Sequence, residues 1–207
     1  MVTKDENWTP ADGSNRTTEE FTNQLGQVVL KRTYNNSQAH DTYYVYDDFG
    51  NLTYVLPPKT DANANKPTSI ELNELGYQYK YDHRNRLVEK KIPGKGLEYI
   101  VYDKLDRPIL TQDANQRAKQ TKEWLFTKYD GLGRVIYTGL YKDNDSREAL
   151  QSAANNATSV HESFLGTTNN PPGSLFYYSN TAFPTNVPFS DVYTINYYDQ
   201  YLSLIHI

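Results

Sequence analysis

The stretch that decides the fold is YVYDDFGNLTYVLPP, residues 44–58. Its core, Tyr-Asp-x-x-Gly-x-Leu, returns with changes as YKYDHRNRLVEKKIP (79–93), IVYDKLDRPILTQD (100–113) and TKYDGLGRVIYTG (127–139). A weaker copy, TNQLGQVVL (22–30), has Thr22 where tyrosine is expected. A recurring unit of this kind indicates that function lies in the array and not in one residue.

The residues at the centre of each copy predict a tight turn. The first turn position holds Asp or Asn in all five copies: Asn23, Asp47, Asp82, Asp103 and Asp130. The fourth position holds a residue that tolerates a left-handed backbone: Gly26, Gly50, Asn85, Asp106 and Gly133. Asp and Asn favour the start of a type I turn, and a left-handed residue closes the usual longer hairpin connection.

The residues on both sides of the turn predict strands. Polar side chains, long enough to reach back across a hairpin, come next: Gln27, Asn51, Arg86, Arg107 and Arg134. A tyrosine precedes the turn in four copies: Tyr46, Tyr81, Tyr102 and Tyr129. Tyr198 and Asp199 begin a further copy. Each unit therefore reads as strand, tight turn, strand.

The spacing of the copies bears on how the hairpins are arranged. The repeat tyrosines lie 35, 21 and 27 residues apart, whereas solenoids and propellers keep a stricter period. We expect an all-β fold of consecutive antiparallel hairpins in an extended sheet. The alternative is a single antiparallel sandwich whose Asp-containing turns coincide by chance.

One segment departs from the strand pattern. In DSREALQSAANNATSVHESF, residues 145–164, apolar side chains recur at steps of three and four: Leu150, Ala153, Ala157, Val160 and Phe164. Asp145 and Glu148 have the spacing of a capping box. The sequence therefore predicts one helical insertion near residues 146–164, packed on the sheet. Residues 59–69 are predicted to form an exposed loop.

Composition narrows the functional classes. The chain has no cysteine, which excludes disulfides, thiolate metal sites and cysteine nucleophiles. The net charge of −4 gives no reason to expect nucleic-acid binding, and no apolar run approaches the ~20 residues of a membrane span. The four histidines, at 40, 83, 161 and 206, share no ligand or catalytic spacing. We therefore expect no enzyme activity, no catalytic or metal-binding residue and no cofactor.

The repeat resembles the YD repeat of the rearrangement-hotspot (RHS) family, written Tyr-Asp-x-x-Gly-Arg-Leu. The stretch KYDGLGRVIYTG fits it nearly throughout, and the other copies are similar to the repeat regions of large RHS proteins of Bacteroidetes-type bacteria. The chain departs from the pattern at Asn85 and Asp106 for Gly, Asn51 for Arg and Pro108 for Leu. Pro108 lacks a ladder donor, which indicates an edge or a bulge.

The resemblance implies a fold and a role. YD repeats build a β-sheet that spirals into a hollow shell around a toxic C-terminal domain. The partners implied are the remainder of the RHS shell and that toxin domain, and the implied location is secreted or at the cell surface. A carbohydrate-binding surface module is the alternative, because rows of exposed tyrosines such as Tyr44, Tyr46, Tyr79 and Tyr81 can stack on sugars. The competing reading is that these tyrosines pack across strands.

The expected organisation follows the repeat boundaries. It comprises a flexible N-terminal segment (1–14), the YD-repeat hairpins (15–141), the helical insertion with its loop (142–173), the start of the next repeat (174–201) and a tail (202–207). The tail, LSLIHI, matches the translation of a transposon end used in sequencing libraries. We interpret it as a non-native, adapter-derived end on an internal fragment of a longer protein.

Overall fold

The computed structural model describes residues 1–166 and 176–198 of the 207-residue chain. Within them, twelve strands pair in consecutive antiparallel hairpins and helices are few and short, which confirms the predicted all-β fold. The chain divides into two compact units, Met1–Leu97 and Glu98–Ile207. Asp199, the tail at 202–207 and residues 167–173 of the predicted insertion lie outside the described residues.

The first unit is a sheet whose strands follow chain order. Its strands are β1 Val2–Lys4, β2 Thr17–Thr22, β3 Val28–Asn35, β4 Gln38–Tyr46, β5 Leu52–Leu56, β6 Tyr77–Tyr81 and β7 Leu87–Lys91. Each is antiparallel to the next. The strand β1 lies within the expected N-terminal segment, where Val2 pairs with Glu19 and Lys4 with Thr17.

Short helices interrupt the loops of the first unit. The helix α1, Ser69–Glu74, follows the Asn-rich stretch and was not predicted. Thr68 accepts a hydrogen bond from the Glu71 N–H, and the Glu71 carboxylate accepts one from the Thr68 N–H. This reciprocal capping box satisfies backbone donors at the helix start. Single 3₁₀ turns lie at Pro10–Asp12 and Pro58–Thr60.

The first unit buries little apolar surface. Leu56 and Val88 are the buried aliphatic or aromatic side chains among its residues, all of which the structure describes. A bidentate pair joins neighbouring strands, with Arg32 Nε 2.7 Å from Asp41 Oδ1 and Arg32 Nη2 2.8 Å from Asp41 Oδ2. The sheet of this unit is therefore held by its hydrogen bonds and half-buried side chains, with almost no core of its own.

The second unit has the same order of strands. They are β8 Glu98–Tyr102, β9 Pro108–Gln112, β10 Glu123–Tyr129, β11 Val135–Lys142 and β12 Val192–Ile195. Each is antiparallel to the next, and β10 with β11 makes a long hairpin. The helix α2, Ala114–Arg117, lies between β9 and β10, and a 3₁₀ turn at Phe189–Asp191 precedes β12.

A hydrophobic core lies on the sheet of the second unit. Two elements cover it: the helix α3, Arg147–Asn156, and the irregular chain between residues 176 and 191. The core residues are Val101, Ile109, Leu110, Trp124, Phe126, Ile136, Tyr137, Leu150, Ala154, Tyr178 and Val187. At the β11–β12 contact, Gly139 leaves no room for a side chain, since an added Cβ would lie 2.2 Å from the Asp191 carbonyl oxygen.

The helix α3 lies within the predicted insertion but is shorter than its apolar stripe. Its N-cap is Ser146 and not Asp145, because the Ser146 hydroxyl accepts a hydrogen bond from the Ala149 N–H. Leu150 and Ala154 are buried, whereas Val160 and Phe164 lie beyond the helix end. The backbone turns extended at Ala157, after two asparagines that are poor helix formers. None of the described helices is both long and apolar enough to span a bilayer.

Candidate functional site: a ladder of Tyr-Asp turns

The five repeat turns share one backbone geometry. In each, the N–H of position four donates to the carbonyl of position one over 2.9–3.2 Å. Position four has a positive φ in every copy: 80° at Gly26, 83° at Gly50, 58° at Asn85, 61° at Asp106 and 79° at Gly133. Because glycine, asparagine and aspartate bear this conformation at the lowest cost, their restriction to position four has a direct steric cause.

The side chain of position one caps its own turn. Its Oδ1 accepts hydrogen bonds from the N–H groups of positions three and five, over 2.8–3.0 Å. In the last copy, Asp130 binds the N–H groups of Leu132 and Arg134 in this way. Two donors that the turn leaves unpaired are thereby satisfied.

The side chain of position five reaches back to position one. Arg86, Arg107 and Arg134 each donate from Nε to the Oδ2 of their own aspartate, over 2.7–2.8 Å. In copies without arginine an amide makes the same link, as in the Asn51 Nδ2 bond to Asp47 Oδ2 at 3.0 Å. Gln27 accepts from the amide of Asn23 at 2.8 Å. Both carboxylate oxygens of a repeat aspartate are therefore engaged within the turn.

A β-bulge stands at the end of each repeat hairpin. The strand register shifts just before the turn, between two consecutive residues of the first strand: Phe21 and Thr22, Val45 and Tyr46, Lys80 and Tyr81, Val101 and Tyr102, or Lys128 and Tyr129. In each case the extra, unpaired residue lies on the strand that follows the turn, as Ile109 does between Pro108 and Leu110. Tyr102 faces Pro108 directly beside this bulge, so the proline that departs from the repeat pattern sits where a missing ladder donor is tolerated.

The repeat tyrosines connect each hairpin to the previous one. The hydroxyl of Tyr46 donates to the Val28 carbonyl at 3.0 Å, and that of Tyr81 to the Leu52 carbonyl at 3.1 Å. In the second unit, Tyr129 donates to Pro108 at 2.8 Å and Tyr198 to Val135 at 3.0 Å. Each acceptor is the sixth position of the preceding copy, so the same bond recurs from one repeat to the next.

Position five makes a second contact with the following repeat. The guanidinium carbon of Arg107 lies 4.4 Å from the ring centroid of Tyr129, and Arg134 stands at the same distance from Tyr198. Such cation–π contacts favour ordered packing of arginine on an aromatic face. In the first unit, Gln27 donates to the Gly50 carbonyl at 3.1 Å. We call this series of tyrosine and position-five contacts the ladder.

Hydrogen bonds in the turns favour the ionised aspartates. The Asn51 side chain and nearby N–H groups hold the pKa of Asp47 below its usual value. Burial of Asp82 opposes its ionisation, but bonds from the Arg86 side chain and backbone outweigh that effect and lower its pKa. The pKa of Asp130 is lowered in the same balance, through Arg134. Burial raises the pKa values of Tyr81 and Tyr129, which keeps their hydroxyls protonated as donors.

Tyr102 has an additional partner in the second unit. Its N–H donates to Gln151 Oε1 at 3.0 Å, and its carbonyl accepts from Gln151 Nε2 at 2.7 Å. The side-chain amide of α3 therefore pairs with the end of β8 as a neighbouring strand would. This contact attaches the helix to the repeat array.

The tyrosine contacts bear on the carbohydrate-binding hypothesis. Arginine covers one face of Tyr129 and of Tyr198, and the hydroxyls of Tyr46 and Tyr81 are bonded to backbone carbonyls. Tyr44 and Tyr79 are half-buried. These repeat tyrosines therefore serve the packing of one hairpin on the next, and carbohydrate binding stays a prediction.

Sequence reasoning missed a buried polar cluster in the second unit. Lys128 forms an ion pair with Glu162 at 2.8 Å, with side-chain exposures of 1% and 0%. Asn180 contacts the same ammonium group. The available signal was the strand alternation, since Lys128 shares a face with Trp124 and Phe126. A lysine on that apolar face needs a buried anionic partner.

Comparisons with known proteins find similar solved structures but no matching family. No protein-family model and no curated protein matches the chain. Solved structures that it resembles include a crystal structure of TcdB2-TccC3-Cdc42, with a TM-score of 0.45 and 18% identity over 63% of this chain. A structure of the Photorhabdus luminescens Tc holotoxin pore has a TM-score of 0.45 and 19% identity over 63% of this chain. The chain spans 6% of each of those chains.

Proposed function

We propose that this chain is a wall segment of a YD-repeat shell in a large RHS-type protein, and that its function is structural. The observation that carries the proposal is the ladder. Within each unit, repeat tyrosines bond to position six of the preceding copy, and position five makes a further contact with the next copy. Hairpins of this kind can therefore be added one after another. Arrays stabilised by contacts between adjacent repeats can extend over long distances.

The chemistry of the ladder suits a wall that must keep its register. A one-residue slip in a strand would exchange its two faces. A repeat resists such a slip because its bulge and its capped turn fix the register within the hairpin. Where a tyrosine precedes the turn, its hydroxyl bond also fixes the hairpin against the preceding copy. In the first unit these contacts operate where only Leu56 and Val88 are buried as apolar side chains. The ladder therefore supplies order where a hydrophobic core does not.

The finer part of the proposal concerns the contents and location of the shell. We propose that the complete protein encloses a C-terminal toxin domain and is secreted or displayed at the surface of a Bacteroidetes-type bacterium. Support comes from the similarity of the repeats to RHS sequences, and above all of KYDGLGRVIYTG to the Tyr-Asp-x-x-Gly-Arg-Leu pattern. The toxin domain would be the principal partner of the wall.

We also propose that the chain catalyses no reaction on an external substrate. His40, His83 and His161 lie in different loops or strands, and His83 occupies the exposed second position of a turn. The repeat aspartates are bound within their own turns, which accounts for their carboxylates without a catalytic role. Their chemistry is that of turn caps.

The test begins with a long read of the gene past the codon for Tyr201, followed by purification of the encoded protein. We expect further Tyr-Asp-x-x-Gly copies, a hollow particle in electron micrographs, and a C-terminal domain that resists protease until the wall is cleaved. A gene without further copies would overturn the shell proposal. So would a particle whose C-terminal domain is digested as fast as the isolated domain.

A further inference from the structure

Three polar side chains of the second unit meet beneath the covering layer. The Nζ atom of Lys128 lies 2.8 Å from Glu162 Oε1 and 2.6 Å from Asn180 Oδ1. The lysine and glutamate side chains are 1% and 0% exposed. A buried amine thus stands within hydrogen-bonding distance of both a carboxylate and a carboxamide, in a position that the ladder does not use.

The fold brings these groups together from three separate segments. Lys128 points inward from β10, next to Phe126 on the same face. Glu162 is placed by a parallel bridge to Asp130, in which its N–H donates to the Tyr129 carbonyl at 2.8 Å. Asn180 belongs to the irregular chain that covers the sheet.

The carboxamide of Asn180 is held in one orientation. Its Nδ2 donates to the Val187 carbonyl at 2.8 Å, and its Oδ1 accepts from the Val187 N–H at 3.3 Å. The same Oδ1 faces the lysine amine. An N–H beside this oxygen can stabilise negative charge that develops on it when the carbonyl carbon is attacked.

The carboxylate of Glu162 is equally fixed. One oxygen accepts from Lys128 and the Ala182 N–H, and the other accepts from the Ser179 hydroxyl and the Thr181 N–H. Burial lowers the pKa of Lys128, although the carboxylate of Glu162 opposes that effect. A lower pKa favours the neutral form of the amine, which is the form that acts as a nucleophile.

We propose that Lys128 and Asn180 join spontaneously in an intramolecular isopeptide bond, with Glu162 as the group that moves the protons. Glu162 takes one proton from the ammonium group, and the neutral Nζ attacks Cγ of Asn180. The Nζ–Cγ bond forms and the Cγ–Nδ2 bond breaks. One of the two protons left on Nζ moves to Nδ2, which leaves as ammonia. The proton on Glu162 then passes to the ammonia and yields ammonium, so the step needs no oxidant or co-reactant.

Burial of the amine distinguishes Lys128, with the half-buried Asn180 beside it, from other lysines near asparagine. Lys122 also lies beside an asparagine, but its Nζ is 3.0 Å from the main-chain carbonyl oxygen of Asn144 and not from the side-chain amide, and that contact is exposed. Water solvates the exposed Lys122 amine, and no side-chain amide accepts a hydrogen bond from it there, so we expect no bond at this site. Lys122 and Asn144 therefore provide an internal control within the same unit.

The bond would fasten the covering chain to the sheet. Lys128 and Asn180 are 52 positions apart, and the segment between them includes β11 and α3. A covalent link of this kind closes a long loop and restricts the unfolded chain as a disulfide does. In a cysteine-free chain it supplies the permanent connection that disulfides give elsewhere. This inference does not depend on the proposed shell function.

The test is the mass of the full chain, purified and then denatured. We expect a mass lower than that of the sequence by one molecule of ammonia, and a tryptic peptide in which Lys128 is joined to Asn180. Trypsin would not cut after the linked lysine. A folded protein of full sequence mass, with both tryptic peptides unlinked, would overturn the proposal and leave an ordinary buried ion pair.

Variants of the chain distinguish the isopeptide bond from other reactions that release ammonia. Succinimide formation at Asn180 lowers the mass equally but survives Lys128→Met, whereas the linked peptide does not. Glu162→Gln should slow formation of the link by about 100-fold or more, the usual contribution of a general acid–base group. Lys122→Met should leave the linked peptide unchanged. If the linked peptide formed in Glu162→Gln as fast as in the original chain, Glu162 would not be the group that moves the protons.

Discussion

The two units of the chain use the same turns but differ in what covers their sheets. Both contain capped Tyr-Asp turns, bulges and tyrosine bonds to the preceding repeat. In the first unit the buried apolar side chains are Leu56 and Val88, whereas among the described residues of the second unit eleven form a core beneath α3 and the chain that follows it. The ladder thus forms with or without a core.

This difference separates two sources of stability. Strand register in both units comes from local contacts, since each turn binds its own backbone and each tyrosine reaches only one repeat back. Free energy from apolar burial is concentrated in the second unit, where Trp124, Phe126 and Ile136 are each no more than 1% exposed. Local unfolding should therefore begin in the first unit and reach the second last.

The largest expected effect comes from truncating the core of the second unit. Phe126→Ala removes a side chain that is 1% exposed and should lower the free energy of unfolding by about 4 kcal/mol. The matched change in the first unit, Leu30→Ala, removes a half-buried side chain and should cost about 1 kcal/mol. Urea unfolding followed by hydrogen exchange in each unit measures both. Equal costs would contradict the division between the units.

A smaller effect should follow from Gly139→Ala, which acts on the attachment of β12. The added methyl group would lie 2.2 Å from the Asp191 carbonyl oxygen and 2.7 Å from Phe126 Cε1. Forced separation of the backbones should cost about 3 kcal/mol. Gly131→Ala is the control, because its nearest neighbour would be His161 Cδ2 at an ordinary 3.7 Å. Thermal melts in which both variants behave alike would refute the close approach.

A third change tests the charged turn cap in the first unit. Asp82→Asn keeps the shape of the turn cap but removes the charge that holds the Arg86 guanidinium, 2.6 Å from Oδ2. Hydrogen bonds to charged groups contribute about 2 kcal/mol each, so we expect a loss of that size. The copy at Asn23, which pairs with Gln27, shows that a neutral cap can form the turn.

Acid should act on the same contact. Since the pKa of Asp82 is lowered in the folded chain, its contribution is complete above the unfolded value of about 4 and is lost as the pH falls through the folded value. The difference in stability between the original chain and Asp82→Asn should therefore shrink as the pH falls below about 4. A difference that stays constant down to pH 2 would rule out the charged cap.

The turns could be predicted from sequence because their causes are local. Asp at position one and Gly, Asn or Asp at position four act within five residues, and the structure has a capped turn at each of these sites. The short helices were missed although their signals were present, since Thr68 with Glu71 and Asp113 with Gln116 both have capping-box spacing.

The contacts between repeats could not be predicted from spacing alone. A repeat tyrosine faces a carbonyl 18 to 29 residues earlier in the first unit, a distance set by loops of different length. The cluster of Lys128, Glu162 and Asn180 forms because the chain around Glu162 and Asn180 folds back onto β10. No repeated pattern in the sequence indicates that contact. Its only mark in the sequence is a lysine in register with two buried aromatic side chains.

The smallest expected effect compares one bond in both units. Tyr46→Phe removes the hydroxyl that donates to Val28 in the first unit, and Tyr129→Phe removes the one that donates to Pro108 in the second. Each bond should contribute about 1 kcal/mol, and the ring that packs between strands stays in place. Because the tyrosine hydroxyl donates to position six of the preceding copy in both units, the two losses should agree within error in urea titrations. A loss confined to Tyr129→Phe would mean that the core and not the ladder gives this bond its strength, and a loss in neither would reduce the repeat tyrosine to a packing residue.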